Sequence, residues 1–233
     1  TTVTTPTTIP TGVSDEYGVT TKRIYRAATG ALGSVFRFVA EIPLAQADYV
    51  DTLTDAQLGE ELESTDFDLP PSDLRYILAL PNGIMVGASG NRLCFSAQNR
   101  PHAWPVGYRL ATDSPITGLG NADTTVVVGT ETFVYTASGN SPDSYSMSKP
   151  VAPHACVSAR GIAYVTGIGV VFPGPDGLMA VTGPTEVRNV SAPFFTRDQW
   201  QDIVPAAILA FAHDDVYYFF GELGETYDPG SVI

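Results

Sequence analysis

One short apolar run recurs along this chain at a nearly fixed interval. Its copies are Ile84-Met85-Val86-Gly87, Val126-Val127-Val128-Gly129, Gly169-Val170-Val171-Phe172 and a longer fourth, Val216-Tyr217-Tyr218-Phe219-Phe220-Gly221. With Val86, Val128, Val171 and Phe220 taken as equivalent, the steps are 42, 43 and 49 residues. A repeat of that length, made of strands and turns, predicts β-propeller blades. Such a scaffold hosts many unrelated functions, so the spacing constrains architecture far more than chemistry.

Turn residues support an all-β reading: 22 Gly and 18 Pro punctuate the 233 residues every few positions. No apolar run approaches the ~18 residues that a membrane span needs, and no signal-peptide pattern opens the sequence. The sequence starts at Thr1 without a Met and stops on Ser231-Val232-Ile233, soon after the fourth run. Four blades barely close a propeller and the fourth is short, so the expectation is an incomplete ring. Either the chain is a fragment, or other segments complete its sheets.

From Leu74 onward the blade pattern is regular. Tyr76–Leu80, Ile84–Gly87 and Leu93–Phe95 read as strands separated by turns at Asn82-Gly83 and Gly90-Asn91. A second unit runs through Ile116–Leu119, Val126–Gly129 and Phe133–Tyr135. A third runs through Ile162–Val165, Val170–Phe172 and Leu178–Val181, with the turn at Pro175-Asp176-Gly177. A fourth joins Ile208–Phe211 to Val216–Phe220 through His213-Asp214-Asp215. Asn-Gly and Asp-Gly suit two-residue turns that require positive φ. The continuous apolar runs read as the innermost strands, with both faces covered by neighbouring blades.

Residues 1–54 read differently. A Thr-rich opening with Pro6 and Pro10 predicts an edge strand or extended arm. Lys22–Arg26, Val35–Ile42 and Ala47–Asp51 come next as strands, the first two alternating polar with apolar side chains and joined by a Gly30–Gly33 turn. Together they predict part of a β-sandwich. Residues 55–73 form an acidic, Pro-containing linker ending in the stiff Leu69-Pro70-Pro71 segment, and residues 74–233 carry the blades.

Charge is the second strong signal. Twenty-five acidic residues against 12 basic ones give a net charge of −13, which repels phosphates and argues against a nucleic-acid binder. Between Arg37 and Arg75 stand ten carboxylates and no Lys or Arg. Glu60, Glu61, Glu63, Asp66, Asp68 and Asp73 of this stretch are candidates for a functional acidic wall, at a lumen or an interface. A solvated linker is the plainer account of the same residues. No spacing there matches an EF-hand loop.

Catalytic signals are thin. His154 and Cys156 stand two apart, but no second pair completes a zinc-site spacing. Cys94 and Cys156 read as buried, reduced thiols. No Ser sits in a Gly-flanked elbow, and Ser96 and Ser158 read as ordinary turn or pairing hydroxyls. Gly118, Gly120 and Gly129 precede no helix and make no phosphate loop. The expectation is a non-enzyme with no cofactor and no metal. One composed stretch, Phe95-Ser96 through Pro101-His102-Ala103-Trp104-Pro105, predicts a fixed corner in which His102 and Trp104 pack on a blade face.

These residues also carry a resemblance. Lys22-Arg23-Ile24-Tyr25-Arg26, Phe38–Ile42, Asp51 before Leu58-Gly59-Glu60, Leu80–Ile84, the 95–105 corner, Cys156-Val157-Ser158, Pro175–Leu178 and Gln199-Trp200 occur in an order that resembles a family of tailed-bacteriophage virion proteins. The resemblance implies a fibronectin-like β-domain followed by a propeller-like domain, in a tail hub, nozzle or adaptor. It also implies a cyclic ring of identical copies, portal, adaptor or other tail proteins as partners, a place in the virion tail, and transient passage of DNA without specific binding. Two departures stand out: the upstream half of the sandwich is missing, and the propeller is truncated. The alternative is a glycan-binding or glycan-cleaving propeller of a tail spike or secreted protein, with Tyr145, Trp104 and Trp200 as aromatic platforms.

Overall fold

The computed structural model describes residues 2–4, 18–30 and 33–221. The arm around Pro6 and Pro10, the tip of the Gly30–Gly33 turn and the terminal Ser231-Val232-Ile233 lie outside the described residues. The protein is all-β, with 44% of residues in strands and 10% in helix, in several antiparallel sheets of which none is closed. It divides into two compact units, Thr1–Asp66 and Phe67–Ile233.

The first unit holds two two-stranded sheets. Strand β1 (Thr2–Thr4) pairs with β4 (Asp48–Val50), and β2 (Thr21–Gly30) pairs with β3 (Gly33–Pro43). Residues 59–62 run along β3: the Phe38 amide donates to the Glu60 carbonyl at 2.8 Å, and the Leu62 amide to Phe36 at 2.7 Å. An ionic knot ties the hairpin to residues 51–55, just past β4. Arg26 donates to Asp51 at 2.7 Å, to Asp55 at 2.8 Å and to the Leu53 carbonyl at 3.1 Å. Asp51 is buried, so removing Arg26 would leave its charge uncompensated.

The second unit is a series of antiparallel meanders. The first is β5 (Arg75–Ala79), β6 (Met85–Ser89), β7 (Arg92–Phe95) and β8 (Arg109–Ala111). The second is β9 (Ile116–Ala122), β10 (Thr125–Thr130), β11 (Val134–Ser138) and β12 (Ser146–Ser148). The third is β13 (Ala163–Val165), β14 (Gly169–Gly174), β15 (Gly177–Val181) and β16 (Val187–Asn189). A hairpin of β17 (Leu209–His213) and β18 (Val216–Phe220) completes the series. Each meander keeps its strands in sequence order, as short connections dictate.

The pleat explains the packing. Val126 and Val128 of β10 join one core cluster with Val86, Leu93 and Phe95 of the first meander. Val127, between them, points the other way and joins Val170, Phe172 and Val181 of the third. In β14 the same alternation sends Val171 toward Trp200, Ile208 and the β17–β18 hairpin. A strand buried on both faces must read as a continuous apolar run, and the sequence repeat has that cause. Close approach needs glycine: a Cβ on Gly118 or Gly120 would meet Ile162 at 2.6 or 2.5 Å.

The repeat places these runs differently from the expectation that they are innermost. Each is the second strand of its sheet, while the first strands contact one another in succession, β5 with β9, β9 with β13 and β13 with β17. The fourth run also departs from two-sided burial: Val216, Tyr218 and Phe220 are exposed. Turn chemistry obeys the sequence. Asp214 and Asp215 both adopt positive φ, at 48° and 63°, the pair of conformations that a type I′ hairpin turn demands.

The one α-helix among the described residues, α1 (Arg197–Asp202), precedes the hairpin. Thr196 and Gln199 form a capping box, with the Thr196 amide donating to Gln199 Oε1 at 2.9 Å and the Gln199 amide to Thr196 Oγ1 at 3.3 Å. The helix drives Trp200, 1% exposed, between the third meander and the hairpin, where its indole N–H donates to the Gly174 carbonyl at 2.9 Å. Trp200→Ala is expected to destabilise the second unit by about 3–5 kcal/mol, with Trp200→Phe losing less. Urea denaturation monitored by circular dichroism measures both, and a wild-type midpoint for Trp200→Ala would contradict this packing.

Candidate interaction surface

The residues singled out for chemistry are mostly spent on structure. Ser96 is buried; its hydroxyl accepts from the Met85 amide at 2.9 Å and donates to the Ala97 carbonyl at 3.0 Å. Ser158 is buried and donates to the Ile208 carbonyl at 2.7 Å. Cys94 and Cys156 are free and buried. Burial pushes the Cys94 thiol up and the Cys156 thiol to about 11, which suppresses the nucleophilic thiolate. Tyr217 is also raised by burial, and its hydroxyl donates to the Gly161 carbonyl at 2.5 Å. Among the described residues, no group of three or more His, Cys, Asp and Glu could hold a metal.

The three aromatic residues considered as glycan platforms are interior. Trp104 is 3% exposed, Tyr145 5% and Trp200 1%, and a stacking platform must present an open face. Trp104 is the keystone of the 95–105 corner. Its indole N–H donates to Pro101 at 2.9 Å and its amide to the Asp68 carbonyl at 2.8 Å. His102 is exposed, edge-on to Phe67 with ring centroids 5.8 Å apart. Asn99, with a φ of 58°, donates its amide to the Gly83 carbonyl at 2.8 Å. A Cβ on Gly83 would stand 2.1 Å from the Asn99 side chain. The corner thus seats on the β5–β6 turn.

The six acidic candidates divide between the two units. In the first unit Glu61 pairs with Arg37 at 2.7 Å and Glu60 with Arg23 at 3.7 Å, while Glu63 and Asp66 stand exposed on a 3-10 turn. In the second unit Asp68 accepts from the Val106 amide at 3.0 Å and Asp73 from the Ser89 hydroxyl at 2.8 Å. At the second meander Lys149 donates to Asp113 and lies 3.9 Å from the Phe133 ring centre. Their mutual hydrogen bond holds Asp113 below the usual carboxylate range and Lys149 above its own. Both are solvent-exposed, so the pair adds little stability.

The feature that sequence patterning missed is the outward face of the β17–β18 hairpin. Leu209, Phe211, Val216, Tyr218 and Phe220 are 41%, 48%, 47%, 43% and 62% exposed. Phe211 stacks on Tyr218 at 5.1 Å and on Phe220 at 6.2 Å. On the opposite face Ala210, Ala212, Tyr217 and Phe219 pack against the third meander. An apolar run alone cannot say which of its faces is covered. A contiguous stacked aromatic face on an acidic surface is the kind of patch that marks a protein–protein contact. Comparison with known proteins found neither a matching family model nor a matching curated relative. The geometry therefore carries the functional argument.

The buried thiols and phenol give a pH prediction. Cys156 is expected to resist a thiol reagent at pH 8 in the native protein, and two thiols per chain should react after denaturation. Because folding raises the Cys156 value from about 9 to about 11, its contribution is complete below pH 9 and is lost as pH rises toward 11. The loss is on the order of 2–3 kcal/mol. Tyr217 extends the loss above pH 10. Unfolding free energies measured from pH 7 to 11 check this, and a flat profile would count against it.

Proposed function

We propose that the chain is a non-enzymatic structural component of a bacteriophage tail, of hub, nozzle or adaptor type. In this reading the first unit is part of a fibronectin-like β-sandwich and the second a partial propeller. Copies assemble about an axis with one another and with portal or tail partners, and DNA passes without being held. The observation that carries it is the stacked aromatic face of β17–β18. A sheet whose inward face is packed and whose outward face is equally apolar calls for a further surface against it. Rings built from identical copies supply such surfaces through repeated contacts.

Electrostatics support the same reading. At a net charge of −13 the surface repels phosphates, and few cations remain to trap a passing strand. The ordered motifs from Lys22 to Trp200 point to the same family. The glycan reading gains nothing from Trp104, Tyr145 or Trp200, all of which are interior.

Mass photometry of the purified protein is expected to show a discrete cyclic oligomer. Phe211→Ser combined with Phe220→Ser should return it to monomer with an unchanged circular dichroism spectrum. Monomers at every concentration, together with no association to portal or adaptor proteins, would overturn the proposal.

A further inference from the structure

A second feature lies in the seam between the second and third meanders. There the facing sheets part to leave a cleft of about 420 Å³, within the size range of small-ligand sites. Its floor is apolar, formed by Val127, Val170 and Val181. Its rim is made of hydroxyls: Thr125 on β10, Ser138 on β11, Tyr164 on β13 and Thr182 just past β15. None of these four side chains hydrogen-bonds to another described protein group. One wall is fixed, because the Thr136 hydroxyl donates to the Pro184 carbonyl across the seam.

The composition of the lining decides the ligand class. Among the described residues no charged side chain lines the cleft, although charged residues make up 16% of the sequence. A phosphate, carboxylate or ammonium group entering there would lose hydration and find no counter-charge. A purely apolar ligand would cover hydroxyls without satisfying them. The complementary molecule has one apolar face for the valine floor and neutral hydroxyls around its edge. Tyr164, 48% exposed, adds an aromatic ring that can lie against C–H groups while its hydroxyl hydrogen-bonds.

We infer that this cleft binds a neutral pyranose, as a free sugar or as a terminal residue of a glycan. The sugar's C–H face rests on Val127, Val170 and Val181, and its hydroxyls exchange hydrogen bonds with Thr125, Ser138, Tyr164 and Thr182. The site is formed by folding alone, since all of these residues but Thr182, which directly follows β15, belong to sheets already packed together. It is independent of the tail assignment and of the aromatic platforms considered from sequence.

Saturation-transfer NMR tests the inference. The probes are the methyl glycosides of glucose, galactose, mannose and N-acetylglucosamine, with glucose 6-phosphate and glucuronic acid as charged comparators. At least one neutral glycoside should receive saturation at its ring protons, and the charged sugars should not. Tyr164→Ala removes the aromatic ring, and Ser138→Trp fills the cleft from an exposed strand position. Each should weaken binding by about tenfold or more while leaving the thermal midpoint near wild type. Val151→Ser, at an exposed position outside the cleft lining, should bind as wild type does. No transfer to any neutral glycoside, equal transfer to the charged sugars, or transfer unchanged in both cleft variants would each overturn the inference.

Discussion

The second unit depends on burial of its second strands from both sides. A pleated strand sends alternate side chains to opposite faces, so Val126 and Val128 serve one inter-sheet core while Val127 serves the next. Each fully buried aliphatic side chain contributes about 1.5–3 kcal/mol relative to exposure. A single meander therefore has two faces to cover and can cover neither alone. The stack supplies the cover, and glycine sets its spacing: Gly118 and Gly120 admit Ile162, and Gly129 admits Cys156. The buried thiol is part of the same contact, which is why its chemistry is suppressed.

A stack of this kind has a boundary condition at its end. Where a further sheet covers the apolar run, the run is silent; on the β17–β18 hairpin the outward half is not covered by any described residue, and five large side chains emerge. The tip of that hairpin is acidic, at Asp214 and Asp215, but the face itself carries no charge. In a chain of net −13, most surface pairs repel one another, so attraction concentrates where charge is absent. Assembly through this face needs no special chemistry beyond the interaction that holds the sheets together.

The interior of the sheets was legible in the sequence, and their edges were not. Val126–Gly129 and Leu178–Val181 announce themselves because two-sided burial leaves only apolar residues, and Asp214-Asp215 marks its turn by backbone preference. The outer strands β8, β12 and β16 are three residues each with none fully buried, so no periodicity marks them. Helix α1 did leave a signal, the Thr196-x-x-Gln199 capping box ahead of Trp200, which strand-oriented patterning passed over. The candidate site divides the same way. Trp104 as a packed corner stems from its flanking prolines, whereas the hydroxyl cleft joins Thr125 to Thr182 across two sheets and has no local signature.

Acidity has a comparable division of labour. Every cation of the first unit is engaged: Lys22 with the carbonyls of Leu44 and Gln46, Arg23 with Glu41, Arg26 with Asp51 and Asp55, and Arg37 with Glu61. The ion pairs neutralise charge locally, and those of Arg26 fix the hairpin to the segment just past β4. What reaches solvent as a field is the remainder, exposed carboxylates such as Asp66, in a chain of net −13. A surface organised in this way keeps its order from its ion pairs and its repulsion from its surplus. The two roles fall on different residues of one acidic segment, so removing Asp51 would disorder the unit, while removing Asp66 would alter only its charge.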